Sequence, residues 1–576
     1  MTAGDRPPPA PGSPSAAAPS GRRSSALVAG GILLSRVAGL ARERAIAAHL
    51  GTGFAVDAFR AAARIPNLLQ NLLGEGVLSA SFIPVYARLL AEGEEEEAGR
   101  VAAAVAGLLA VVAGVLVVVG VVFARPLTAV LAAGYTGERF ELTVILVRIL
   151  TPGLGLLVLS AWCLGVLNSH RRFFLSYVAP VLWNVGQITV LVAVAARGLN
   201  QSSLAVALAW GALAGAALQL GIQLPAVRSL LRSLRPSLDA RRPAVRTVLR
   251  RFGPAVAGRG VVQLSAYVDL FLASFLAVGA VAALTYAQVF YLLPISLFGM
   301  SVAAAELPEL SRLGDAPTGA AAQARGPVTE ALRARLHEGL GRVAFFVVPT
   351  AVAYLVLGDL VVATLLQTGR FDAGDTRLVW YVLAAFSLGL VATTASRLLQ
   401  NGLYALGDTR TPARIAGLRV GLAAVLGAVL MLQLDRVVVD GPGLGGLDVA
   451  GALPALVPLP AELRDATGGA LRLGAVGLAL ASATAAWLEL GLLRRRLQAR
   501  VGRLRLGGAQ LLPVLAAGAV AGGVALVGRS LTTGLASPLA LVIAGLPAAL
   551  AYVATASALR VEEPAALLAA VRRRLR

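Results

Sequence analysis

"LLSRVAGLARERAIAAHLG", residues 33–51, decides the fold. It has the length of a membrane span, yet Arg36, Arg42, Glu43 and Arg44 interrupt it. A central arginine facing lipid costs about 2.5–3.5 kcal/mol on insertion scales, so Arg36 and Arg42 together would oppose insertion by on the order of 5–7 kcal/mol. On a helix of about 100° per residue, however, Ser35, Arg36, Gly39, Arg42 and Glu43 fall on one stripe roughly 120° wide. Leu34, Val37, Ala38, Leu40, Ala41 and Ala45 fill the remaining surface. Such a helix spans if the stripe faces a watery cavity, or if Arg36 and Glu43 neutralise each other inside a bundle; both readings are open. Arg44 stands about 180° from Ser35 and reads as a side chain that snorkels to the far interface.

The rest of the chain is plainly of membrane type. It has 576 residues, 57% hydrophobic and 14% charged, with mean hydropathy +0.77, more apolar surface than a water-facing fold can hide. Apolar runs of about 20 residues, enough for one crossing, fall at 26–50, 54–73, 101–123, 141–167, 175–197, 201–224 and 254–275. They continue at 279–303, 341–368, 377–405, 412–434, 470–495, 508–528 and 536–558, giving fourteen.

All 51 basic residues are arginine, and the net charge is +21. Segment 225–252 carries eight arginines and one acid, whereas 435–469 carries two arginines and five acids. Arginine excess marks cytoplasmic loops, so 225–252 is a basic cytoplasmic loop and 435–469 a periplasmic one. An even number of spans then puts both termini in the cytoplasm. The basic segments are separate loops with few aromatic residues for base stacking, which excludes nucleic acid as a partner. Residues 1–25, rich in Pro, Ser and Ala, read as a disordered tail, and 559–576 as a basic cytoplasmic tail. The acidic run at 92–97 reads as an exposed loop. One cysteine, Cys163, and three isolated histidines, His49, His170 and His337, provide neither a disulfide framework nor metal-ligand spacing. No cluster of acids with metal-ligand spacing or a catalytic histidine is present, so no catalytic residue, cofactor or metal is expected and a transporter is expected rather than an enzyme.

An internal repeat organises the spans. "HLGTGFAVDAFRAAARIPNLL" from His49 and "AVGAVAALTYAQVFYLLPISL" from Ala277 align Gly51 with Gly279 and Pro66 with Pro294, both 228 residues apart. "SASFIPVYARL" and "AAAELPELSRL" follow in the same order. An even number of helices between the copies gives two parallel lobes related by an axis along the membrane normal, the arrangement that places a transporter's site between lobes. The expected division is 26–224 as one six-helix lobe, 253–497 as the second, and 498–558 as two further spans.

Charge clusters again on the second span. Asp57, Arg60 and Arg64 are spaced to share a helix face. Pro66 breaks the helix beyond them, and Glu75 lies between Gly74 and Gly76. In the seventh span Arg259 is flanked by Gly258 and Gly260, with Asp269 near the other end. Guanidinium groups offer paired donors to phosphate oxygens and keep their charge, so these arginines suit an anionic ligand. The carboxylates can compete for them or hold a gate shut.

"SRVAGLARE", "VDAFRAAARIPNLLQNLLGEGVLSASFIPVYARLL", "GVLNSHRRFFLSYVAPVLWN", "LLQTGRFDAGDT" and "LYALGDTRTPARIA" together resemble the MurJ (MviN) lipid II flippases of the multidrug/oligosaccharidyl-lipid/polysaccharide superfamily. The resemblance implies an all-α polytopic protein of fourteen helices in the bacterial inner membrane: two six-helix lobes around a cationic cavity, plus two C-terminal helices forming a groove for the polyprenyl tail. It implies lipid II as the cargo, carried from inner to outer leaflet by alternating access, with membrane lipids and wall-synthesis proteins as partners and a monomeric state. By motif, Ser35, Arg36, Arg42 and Arg64 become substrate-binding residues, and Asp57 and Glu75 gating residues. Gln70 and Asn71 stand where many members have a basic pair, and Gln288, Val289 and Leu292 replace charges in helix eight. Arg259 is expected to supply the missing charge, and Asp269 to act in gating or coupling. The driving force is left between the membrane potential and a monovalent cation near Asp269. The alternatives are a flippase for another polyprenyl-linked glycan and a non-transporting scaffold.

Overall fold

The computed structural model describes residues 20–231, 237–299, 321–439, 447–449, 456–464, 471–502 and 508–564. Each of the fourteen expected spans contains helix among the described residues, although the one at 470–495 begins in a strand and the one at 377–405 is broken near residue 388. The first lobe holds α1 (Ser20–Leu50), α2 (Phe54–Leu73), α5 (Glu95–Val122), α7 (Gly137–Ser169), α8 (Phe173–Ala195) and α9 (Gln201–Leu230), with the short helices α3 (Glu75–Ser81), α4 (Ile83–Ala91) and α6 (Ala124–Leu131) between them. The second holds α10 (Pro243–Ser274), α11 (Ala280–Pro294) with a π-helical turn at Ile295–Gly299, α12 (Ala321–Leu366), α13 (Ala373–Ser387), α14 (Leu390–Ala405) and α15 (Arg410–Leu434). A single turn, α16 (Ala461–Arg464), precedes α17 (Gly474–Val501), and α18 (Gly508–Leu531) and α19 (Ser537–Ala558) close the chain. Among the described residues ten helices are long and apolar enough to cross a membrane, and α13 with α14 makes one further span bent by 43°. The remaining three are α1, α2 and α10, whose charges set them apart from purely lipid-facing helices.

The two lobes repeat one packing scheme. In the first, α2 and α5 pack on α7, and α8 packs on α9; in the second, α11 and α12 pack on α13, and α15 packs on α17. Gly51 and Gly279 occupy equivalent turns, between α1 and α2 and between α10 and α11, and both take positive φ, +61° and +92°, a conformation that glycine adopts without steric cost. Small residues bring the lobe helices together. A Cβ on Gly186 of α8 would lie 2.6 Å from the Cα of Gly215 on α9, the close backbone approach favoured between helices in lipid. α18 and α19 pack on each other and on α12.

Several boundaries differ from expectation. α1 begins at Ser20, inside the segment read as tail, because Pro19 is the last residue before it that would break a helix. The basic segment 225–252 is largely helical: α9 continues through Pro225 to Leu230, and α10 starts at Pro243, a residue preorganised for a first turn. Glu95–Glu97 are the first turn of α5 rather than loop, with acids against the positive end of the helix, and Glu97 pairs with Arg242 at 2.8 Å. Segment 435–469, with the two residues after 470, contributes a small antiparallel sheet of order β2-β1-β3, formed by β1 (Val437–Val439), β2 (Leu447–Val449) and β3 (Leu471–Arg472). The copy of the repeat at 303–313 lies outside the described residues.

Candidate functional site

The α1 stripe meets both lobes. Ser35 is half-buried and Arg36 exposed, and the Arg36 guanidinium donates to Ser296 Oγ at 3.2 Å, in the π-helical turn of the second lobe. Arg42 donates to Glu43 Oε1 at 2.6 Å and lies over the Trp183 ring of α8, 4.9 Å from its centroid. Glu43 is buried and also accepts from both terminal nitrogens of Arg60 on α2. The Arg36–Glu43 pairing that the helical wheel allows is therefore not formed; Glu43 neutralises Arg42 and Arg60 instead. Arg44 does not snorkel freely either. It donates to the carbonyls of Thr364 and Leu365 at 3.1 and 3.3 Å and to Thr368 Oγ1 at 3.2 Å, closing the C-terminus of α12, where a cation is favourable.

The shared face of α2 is turned to α11. Asp57 Oδ2 accepts from the Gly279 N–H at 2.8 Å, and Oδ1 from the Ala282 N–H at 2.7 Å, so the carboxylate caps α11 at its positive end. Arg60 lies over the Tyr286 ring, 5.3 Å from its centroid. Arg64 donates to Gln288 Oε1 at 3.3 Å. One helical turn after another, α2 presents acid, base and base to the other lobe.

Asp57 has a further partner that sequence reasoning missed. Arg139, near the start of α7, donates to Asp57 Oδ2 at 2.6 Å, and both side chains are buried. Arg139 also donates to the Leu276 carbonyl at 3.4 Å and stacks on Tyr135 at 3.7 Å. More contacts join the lobes at this end. Thr52 donates to Asp375 Oδ1, the Arg370 N–H donates to the Ala48 carbonyl at 2.8 Å, and the Gly134 N–H to Ser274 Oγ at 3.0 Å. Arg464, from the segment between β2 and β3, donates to the Gly134 carbonyl at 2.9 Å, while its own carbonyl accepts from the Val278 N–H at 2.9 Å. This end, carrying the α1–α2 and α10–α11 turns, is the sealed end. Nothing in the sequence "TGERFEL" marks Arg139 beyond a charge at the start of a span, and its partner is 82 residues away.

At the opposite end α10 crosses α3, α4 and α5 of the first lobe. Glu75, in the first turn of α3, is exposed there. Asp269 shares a narrow cleft of about 30 Å³ with Arg64, Gln288 and Thr285, so Arg64 and Asp269 do come together. Arg259 lies on α10 with its side chain outside the described residues. Among the described residues no group of three His, Cys, Asp or Glu is placed to hold a metal ion.

Residues 46–439 match the family described as lipid II flippase MurJ. A Rhizobium tropici protein described as a probable lipid II flippase MurJ is 34% identical over 412 residues, 70% of this chain and 74% of its own length. The Burkholderia cenocepacia lipid II flippase MurJ is 34% identical over 417 residues, 71% and 77% of the two chains. Among solved structures, a lipid II flippase MurJ in an inward closed conformation superposes with a TM-score of 0.70 at 21% identity, covering 92% of this chain and 98% of that one. An inward-facing multidrug resistance transporter of the MATE family, described as of the MOP superfamily, gives 0.59 at 16% identity over 84% and 99%; both share the fold. With two repeated lobes, arginines on α1 and α2 between them, and a family match over most of its length, the chain belongs to the lipid II flippase MurJ family.

Proposed function

We propose that this protein carries lipid II, a polyprenyl diphosphate glycolipid, from the inner to the outer leaflet of the bacterial inner membrane. The observation that carries the reading is the placement of three guanidiniums. Arg36 and Arg64 reach across to the second lobe at Ser296 and Gln288, and Arg42 lines the first lobe over Trp183. Among the described residues each makes only one kind of side-chain hydrogen bond, so donors remain for phosphate oxygens. Two or three such groups match a diphosphate in charge and geometry, and guanidinium is weakly hydrated enough for phosphate to displace its water.

The arginine-rich ends of α9, α10 and α17 support a cytoplasmic location for the end opposite the seal and for both termini. The seal then faces the outer leaflet, and the head group enters from the cytoplasmic side. Asp57 acts as the gating carboxylate: its bonds to α11 must break for the outer end to open, while Arg139 of its own lobe holds it in place. Glu75 and Asp269 limit how tightly the arginines hold the anion, Asp269 by its place beside Arg64. Depleting the protein in its host and assaying lipid II at the outer leaflet tests the reading. The expected result is precursor retained inside and outward delivery restored by the wild-type gene; normal delivery after depletion would overturn it in favour of another glycan.

A further inference from the structure

A cavity of about 490 Å³ is sunk into the first lobe between α2, α3, α7, α8 and α9. It is open on one side, where Asn71, Glu75 and Ser79 are exposed. No arginine lines it. Its polar wall consists of the amides of Gln70, Asn71 and Gln219, the Glu75 carboxylate and the hydroxyls of Ser79 and Ser160, and its aromatic wall is Trp183.

The back wall is built rather than incidental. Gln219 Nε2 donates to Ser160 Oγ at 2.8 Å, and Ser160 Oγ donates to Gln223 Oε1 at 2.6 Å. Gln223 is completely buried, and its Nε2 has no partner among the described residues. Leaving a buried amide nitrogen unbonded is costly, and a chain of amides and hydroxyls held in fixed order retains acceptors and donors for a ligand that brings both. Trp183 links this cavity to the anion site, because Arg42 lies over its ring.

We infer that this cavity is the saccharide subsite of the transporter, seating the sugar next to the diphosphate while Arg42 holds the phosphate. The inference rests on the flippase reading above and adds where and how the glycan is recognised. A sugar offers hydroxyls that donate and accept at once, which suits amides and a carboxylate, and an apolar face of C–H groups, which suits an aromatic ring. A phosphate would find acceptors and a negative charge here and be repelled. Gln70 and Asn71, at positions where many members of the resembled family have a basic pair, thus have a role of their own: they keep this part of the cavity free of positive charge for the sugar. Because Trp183 lines the pocket and Arg42 lies over its ring, a sugar joined to a diphosphate at Arg42 would lie beside the pocket.

The test uses the full-length protein in nanodiscs and two probes, lipid II and undecaprenyl diphosphate. For the wild type, lipid II is expected to bind at least tenfold more tightly than the sugar-free lipid. Asn71→Ala and Ser79→Ala change exposed side chains and leave the fold intact; each is expected to lower lipid II affinity about five- to tenfold, the scale of one or two lost hydrogen bonds, with undecaprenyl diphosphate binding within twofold of wild type. Gln219→Leu, which breaks the back wall, is expected to do the same, with thermal unfolding as its control. Equal affinity of the wild type for both probes, or variants that weaken both equally or neither, would overturn the subsite while leaving the flippase reading in place. A wild type that binds neither probe would overturn that reading and the subsite with it.

Discussion

Asp57 of α2 and Arg139 of α7 form an ion pair at 2.6 Å inside one lobe, and the same carboxylate closes the first turn of α11 in the other through Gly279 and Ala282. Both side chains are buried, at 0% and 3% exposure. The bonds from Gly279 and Ala282 to this carboxylate are intact only while the lobes touch at this end, which ties the carboxylate's surroundings to the position of the lobes.

Removing one partner of a buried pair leaves the other charged and dry, at a cost of about 3–5 kcal/mol. Asp57→Ala should destabilise the sealed arrangement by that order. With Ser274→Cys as a reporter, buried behind Gly134, thiol labelling should quicken at least tenfold in Asp57→Ala. Unchanged labelling in a folded protein would show that the pair does not hold the seal.

Glu43 couples α1 to α2 by accepting from Arg42 and Arg60. Glu43→Ala should lower the melting temperature, because Arg60, only 9% exposed, loses its counter-charge. Residues in one ion-pair network interact by about 0.5–3 kcal/mol, so Glu43→Ala combined with Arg60→Ala should cost less than the sum of the two. Additive losses would mean that the charges act independently.

Arg464 ties the segment between β2 and β3 to both lobes through Gly134 and Val278. Its loss exposes a carbonyl that nothing else in the contact replaces, worth about 1–3 kcal/mol. In Arg464→Ala, hydrogen exchange over 274–279 should rise, with little change at the far ends of α9 and α10. No change over 274–279 would remove the segment from the sealing contacts.

Asp408, in the turn before α15, accepts from the Thr411 N–H at 2.9 Å and from Thr411 Oγ1 at 2.7 Å, and pairs with Arg500 of α17 at 2.6 Å. The Thr411 hydrogen bonds, backbone first, with Arg500 contributing less, hold its carboxyl below the usual carboxylate range. A carboxylate whose folded value is depressed stabilises the fold above its unfolded value, about 4, and that contribution is lost as the pH falls through the folded value. Asp408→Asn should lower the melting temperature at pH 7, and the gap to wild type should narrow towards pH 3. A gap independent of pH would assign the effect to turn geometry alone.

The sequence made the helical spans legible because apolar length is a property of the lipid boundary, independent of tertiary detail. The repeat was legible because Gly51 and Gly279 meet the same backbone demand, a positive φ at a tight turn. Which charges lie on one face of α2 followed from helical spacing, and Asp57, Arg60 and Arg64 do face α11. Partners were not legible. The helical wheel offered Glu43 to Arg36, seven residues away, but Arg60 on the neighbouring helix comes closer, and no periodicity reports a contact between helices. Arg139, Asp375 and Arg464 were missed for the same reason: each meets its partner across 82 or more residues of chain. Gln219 and Ser160 read as ordinary polar interruptions of apolar spans until α7 and α9 bring them together.

The central claim, that guanidiniums between the lobes carry the diphosphate head group across the membrane, is tested most directly by lipid II at the outer leaflet in depleted cells expressing Arg36→Ala/Arg42→Ala at wild-type levels. The predicted result is precursor trapped on the cytoplasmic side, with Arg36→Lys/Arg42→Lys delivering a measurable fraction because charge is kept while paired donors are lost. Wild-type delivery by the double alanine variant would contradict the account.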